Sequence, residues 1–227
     1  MNLTLTHHPL DMALCERWSR AARTSSHSGP PNPTVDAYEA QVTIGPEECP
    51  LTVYNSLRER LLTYDIFPPN IVHATIYPAG RVAACSTIVQ RVVVGPVALE
   101  AAVRVIEVWD HPPTRDDDGL RGGGSVGFCY VTLEGHPERG VASFEVRLKA
   151  TGEVTVVMEA RSCAGNWITR VGRPFARVFQ RALTQAALRR LVDARQPWRR
   201  RCRGVRSPRG VGPNQQGRAP VARPAYP

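Results

Sequence analysis

Glu134, His136 and Glu138 alternate through one short turn, and Tyr130 stands on the strand just before it. A histidine changes charge near neutral pH, and carboxylates close by would tune that charge. These are the ingredients of general acid–base proton transfer. Glu134 would assist His136, and the Tyr130 phenol would offer a hydroxyl if its strand turned it inward. A second reading stands beside this one. His136 would then fix the turn through side-chain hydrogen bonds, and Tyr130 would pack as part of the core.

The elements that must position these groups are legible in residues 127–148, which read as strand, turn, strand. Phe128, Tyr130 and Val131 belong to an aromatic and β-branched run suited to a pleated, half-buried surface. Gly135, Pro137 and Gly140 supply the turn. Beyond it Phe144, Val146 and Leu148 alternate with Glu145 and Arg147, so a slip of one residue would invert every side chain and the register is well specified.

The formal charge of +9 suggests nucleic acid until it is located. Nine arginines and no acidic residue lie from Arg195 onward, which leaves the rest of the chain formally neutral. The six cysteines form no C-x-x-C pair and have no histidine at zinc-finger spacing, so no structural metal is expected. Scattered in this way they suit a reducing compartment. No basic segment followed by an apolar one opens the sequence, and no apolar run is long enough to span a bilayer. A soluble cytoplasmic protein without a cofactor is the expectation.

In chain order, residues 1–36 read as an N-terminal extension, partly disordered, with a short helix near Leu14 and Trp18. Residues 37–193 read as one α+β domain. The pattern predicts a strand over 38–44, then a helix to about Asp65 with Tyr54, Leu57, Leu61 and Tyr64 on its buried face. Strands follow over 72–77, 82–94 and 101–109, then the hairpin and a strand over 154–161. Turn signals at short intervals favour an antiparallel meander. Arg91, Arg104, Glu107 and Glu145 are expected on its outward face. A long amphipathic helix closes the domain, and residues 194–227, rich in Arg, Pro and Gly, read as a disordered basic tail.

The run Gly127-Phe128-x-Tyr130-x-Thr132-Leu133-x-Gly135-His136-Pro137-Glu138-x-Gly140, followed by Phe144, resembles the signature of a bacterial and plant family known as domain of unknown function nineteen-ninety. Gly95-Pro96, Ala160-Arg161-Ser162 and Trp167-Ile168-x-Arg170 leading to Gln180-Arg181 are similar to it too. The likeness extends from Ala37 to Val192 and implies no activity. The order of elements resembles the helix-grip domains of the START and Bet v 1-like superfamily. There a curved antiparallel sheet wraps a long C-terminal helix and leaves an apolar cavity between them.

That resemblance implies a small hydrophobic ligand. Phe128, Tyr130, Thr132, Phe144, Val146 and Met158 would face it from the sheet, and Trp167, Phe175, Phe179 and Leu183 from the helical side. An enzyme of the cyclase or hydratase sort, using His136 or Tyr130 in the cavity, is the alternative. A third is a regulatory protein whose basic tail contacts nucleic acid or an anionic membrane.

Overall fold

The computed structural model describes residues 3–4, 12–26, 28–78, 80–94, 97–116, 119–120, 122–164 and 173–192. Side chains at 173–181 lie outside the described part of the last helix. By its internal contacts the chain divides into Met1–Arg195 and Gln196–Pro227. The second unit, with the basic tail, lies outside the described residues.

The strands are β1 (Leu3–Thr4), β2 (Thr34–Gln41), β3 (Val72–Tyr77), β4 (Thr87–Val94), β5 (Val97–His111), β6 (Arg115–Asp116), β7 (Gly119–Leu120), β8 (Gly124–Thr132), β9 (Glu138–Leu148) and β10 (Val154–Ala164). The helices are α1 (Met12–Ser19), α2 (Pro50–Leu62) and α3 (Arg173–Val192). Seven strands form one curved antiparallel sheet in the order β2-β10-β9-β8-β5-β4-β3. β1 pairs with β5, while β6 and β7 make a separate two-stranded hairpin.

Alternation along the strands divides the side chains between two faces. The concave face carries Ile88, Val103, Val105, Val126, Phe128, Phe144, Val146, Leu148, Val154, Val156 and Met158. Val53, Tyr54, Leu57 and Leu61 of α2 pack on it, as do Ala187 and Leu191 of α3. This is the helix-grip arrangement. On the opposite face Cys15 and Trp18 of α1 meet Val89, Ala102 and Leu133, and Cys129, Val131 and Val141 form a smaller cluster.

Several boundaries differ from the sequence pattern, each for a local reason. α2 begins at Pro50, which suits a first helical turn because it has no amide hydrogen to leave unpaired. Before it Glu48 closes a turn by accepting from the Gly45 amide at 2.9 Å. β2 starts at Thr34, earlier than the alternation suggests, because its pairing with β10 runs from Thr34↔Ser162 to Gln41↔Thr155. β4 starts only at Thr87. Before it, the Ser86 hydroxyl donates to the Ala83 carbonyl at 2.7 Å and Cys85 takes a left-handed conformation (φ 67°), which turns the chain.

Residues 22–24 lie against the end of β8. The Thr24 amide donates to the Thr132 carbonyl at 2.9 Å, and the Glu134 amide donates to the Ala22 carbonyl at 2.8 Å. This segment takes up backbone groups left open where the β8–β9 hairpin splays. No helix among the described residues is long and apolar enough to cross a membrane.

Candidate ligand-binding site

The concave face changes character along its length. One row across the sheet reads Phe128, Phe144, Met158, Tyr38 on β8, β9, β10 and β2. Phe128 and Phe144 stack with ring centres 5.3 Å apart, and Phe128, Phe144 and Met158 are sealed from solvent. Val146, one row further towards the α2 side, is fully buried.

The next row in the other direction reads Val105, Tyr130, Ala142, Ala160, Asp36. Beyond it Gly140, Ser162 and Thr34 lie opposite one another. Large side chains thus give way to small ones. Tyr130, Ala142 and Ala160 keep accessible surface although Tyr130 and Ala142 lie on central strands and face inward. A central strand loses such surface only when something fills the space above it.

Tyr130 borders this low stretch. Its ring lies 5.6 Å from Phe144 and 6.2 Å from Phe128. The neighbouring Tyr64 hydroxyl accepts from the Gln90 side-chain amide at 2.6 Å. Burial pushes both phenols well above the ordinary tyrosine range, so they stay protonated. Tyr64 reaches this position because it follows the α2 C-cap with φ 60°, a left-handed value that turns the chain sharply at the helix end. Phe67 completes the aromatic group, 5.7 Å from Tyr64 and 6.4 Å from Phe144.

His136 and Glu134 stand apart from these groups, in the turn beyond β8. The His136 amide donates to the Leu133 carbonyl at 3.0 Å, and Nδ1 accepts from the Glu138 amide at 3.0 Å. Burial lowers the imidazole pKa to about 4; the bond that a protonated Nδ1 would donate to the Glu138 carbonyl, 2.9 Å away, in place of the one it accepts, opposes this. The ring is therefore neutral at neutral pH. Glu134 is exposed. Gly135, at φ 90°, lies against Trp18, where an added Cβ would stand 3.0 Å from the indole ring.

The other sequence candidates divide in the same way. Thr132 is buried, with Oγ1 accepting from the Gly140 amide at 3.0 Å and hydrogen-bonded to the Thr24 hydroxyl. Leu183 is half-buried on α3. Phe175 and Phe179 lie on the same helix, their side chains outside the described residues, and Trp167 is outside them altogether. Among the described residues no group of His, Cys, Asp or Glu is gathered as for a metal ion.

Tyr64, Gln90, Ala142 and Ala160 were not singled out as site residues by sequence. Gln90 carries a usable signal: it interrupts an apolar run in phase with Ile88 and Val92, so alternation alone turns it inward. Arg91 is on the outward face as expected, but it is buried there, paired with Glu100.

The family model described as "Domain of unknown function (DUF1990)" matches residues 19–190. The chain belongs to this family. The match begins within α1, upstream of the Ala37 at which the sequence likeness starts. Among curated proteins no relative matches the chain.

Among solved structures the chain is similar to norcoclaurine synthase from Thalictrum flavum in complex with dopamine and hydroxybenzaldehyde. The identity is 13%, covering 73% of this chain and 90% of that one, with a TM-score of 0.43. It is similar to a hypothetical protein of Helicobacter pylori at 12% identity, 72% and 88% coverage and a TM-score of 0.43. A major latex-like protein of Panax ginseng shares 13% identity over 72% of this chain and 99% of that one, with a TM-score of 0.37.

Proposed function

We propose that this DUF1990 protein binds a small hydrophobic molecule between the concave sheet face and α3, over Tyr130, Ala142 and Ala160. The observation that carries the reading is the surface these residues retain in the middle of the sheet, beside a row that is sealed. Small side chains lower the floor there, and Phe144, Phe67 and Tyr130 provide apolar and aromatic walls with few polar groups, as ligand pockets commonly have. α3 lies on the same face, and Leu183 and the candidates Phe175 and Phe179 belong to that helix.

A cyclase- or hydratase-like reaction would have to use Tyr130 as a protonated donor, because burial opposes its ionisation. His136 would contribute through the shape of the turn, its Nδ1 being held at the Glu138 backbone. Binding is the reading that uses what surrounds Tyr130. A cytoplasmic setting belongs to the same proposal, since Cys85 is an exposed free thiol.

The test is native mass spectrometry of the full chain from a bacterial host, followed by solvent extraction and by titration with 2-ethylnaphthalene. A co-purifying apolar adduct, or saturable uptake of the probe, is expected, and Ala142→Leu should abolish it without loss of fold. Undiminished uptake by Ala142→Leu would place the ligand elsewhere. A protein that neither carries an adduct nor takes up the probe would overturn the reading.

A further inference from the structure

We propose that the outer edge of β3 pairs with the same edge of a second copy of this chain, antiparallel about a two-fold axis through Ala74.

β3 ends the sheet, with β4 on one side of it. In an antiparallel ladder, residues that bond the neighbouring strand alternate with residues that turn N–H and C=O away from it. The Val93 amide donates to the Ile71 carbonyl at 2.8 Å, so residue 71 is turned to β4, and His73, Thr75 and Tyr77 with it. Val72, Ala74 and Ile76 therefore present their backbone groups outward. The turns at either end take two of these groups. The Val72 amide donates to the Pro68 carbonyl at 3.0 Å, and the Ile76 carbonyl accepts from the Gly80 amide at 3.0 Å. Among the described residues nothing bonds the other four, which are the Val72 carbonyl, both groups of Ala74 and the Ile76 amide.

This open set is its own complement. With Ala74 opposite Ala74 of the second copy, the two residues exchange both bonds, and the Ile76 amide of each copy meets the Val72 carbonyl of the other. Every open group is then used. The groups such a ladder would pair next, the Val72 amide and the Ile76 carbonyl, are already satisfied within each copy. A register two residues away in either direction sets an open group against a taken one.

The side chains agree with this pairing. Val72–Tyr77 contains no Lys, Arg, Asp, Glu or Pro, the residues by which edge strands deter pairing. His73 opposes Thr75 of the second copy, and Val72 opposes Ile76, so no like charges face each other. His73 and Ala74 are exposed, which leaves the centre of the strand accessible. β2, at the other end of the sheet, carries Asp36 and Glu39 instead.

One short strand buries less than the about 1,200 Å² at which stable interfaces begin, so the dimer is weak, with a Kd of roughly micromolar to millimolar. Sedimentation velocity and amide hydrogen exchange by NMR on the full chain, from about 10 μM to about 1 mM, test it. The protein should pass from monomer to dimer. The Ala74 and Ile76 amides should gain protection as concentration rises, whereas those of His73 and Thr75, held by β4, should be protected throughout. Ala74→Pro removes an outward N–H without costing a bond to β4 and should abolish the dimer, with unchanged circular dichroism. His73→Glu/Thr75→Glu keeps every backbone group and should abolish it too, because carboxylates would then oppose each other across the axis.

A chain that stays monomeric over the whole range would overturn the proposal. So would association undiminished in both variants, assemblies larger than a dimer, or protection gained at other amides and not at Ala74 and Ile76.

Discussion

Arg91 and Glu100 form an ion pair across β4 and β5, Nη2 to Oε1 2.6 Å, on the sheet face opposite α2, with side chains 8% and 5% exposed. A carboxylate or guanidinium left alone in such a place would be an uncompensated buried charge. Glu100→Ala should therefore destabilise the protein by about 3–5 kcal/mol, whereas the double change Arg91→Met/Glu100→Leu should cost far less. Urea unfolding of the two variants checks this, and equal losses would show that the pair contributes more than relief from burial.

Tyr54 is sealed within the concave core, yet among the described residues nothing hydrogen-bonds its hydroxyl. Burial, with Asp110 adding to it, pushes its pKa up to about 12. Tyr54→Phe removes the unsatisfied group and keeps the ring, so it should raise stability by about 1 kcal/mol. A drop in the unfolding midpoint would reveal a partner for the hydroxyl, such as a buried water.

His136 makes stability depend on pH. Its folded pKa of about 4 lies below the ordinary value of 6.5, so the unfolded chain binds the extra proton first. Stability from this group should be complete above about pH 6.5 and fall as the pH drops towards 4. His136→Asn should flatten that part of the stability profile. An imidazole NMR titration with a midpoint near 6.5 in the folded protein would contradict it.

Gly127 and Trp109 lie opposite each other on β8 and β5, and a Cβ on Gly127 would overlap the indole ring and stand 2.6 Å from the Phe144 carbonyl oxygen. Both neighbours are held within the sheet, so Gly127→Ala should destabilise by about 1–3 kcal/mol. Thermal unfolding, with Trp109 near-ultraviolet circular dichroism as a local probe, reads both effects. An unchanged melting temperature would mean that the ring can lie elsewhere.

Phe128 and Ala142 separate core from site. Phe128 is fully buried and stacked, so Phe128→Ala should cost about 3–5 kcal/mol. Ala142→Leu adds bulk where surface remains accessible and should leave the unfolding midpoint nearly unchanged. A large loss in the second variant would mean that the space above Ala142 is already filled.

Local periodicity determined much of this protein. Alternation at Phe144, Val146 and Leu148, the turn glycines, and the apolar stripe Tyr54–Leu57–Leu61 define the hairpin and α2, because each signal lies within one element. The run around Gly135-His136-Pro137-Glu138 is enough to indicate the family to which the chain belongs. Alternation also assigns Tyr130 to the inner face.

Only the tertiary structure decided what stands beside it. A period of two gives the face of a side chain, but not its partner on the next strand, which depends on register and on a bulge between Val105 and Glu107. The row Tyr130–Ala142–Ala160, the Tyr64–Gln90 bond across 26 residues of chain, and the burial of the Arg91–Glu100 pair all arise from that alignment. His136 shows the same limit. Its spacing from Glu134 and Glu138 suggests proton chemistry, whereas folding sets its nitrogen against a backbone amide and holds the ring neutral, because burial outweighs the pull of the Glu138 carbonyl.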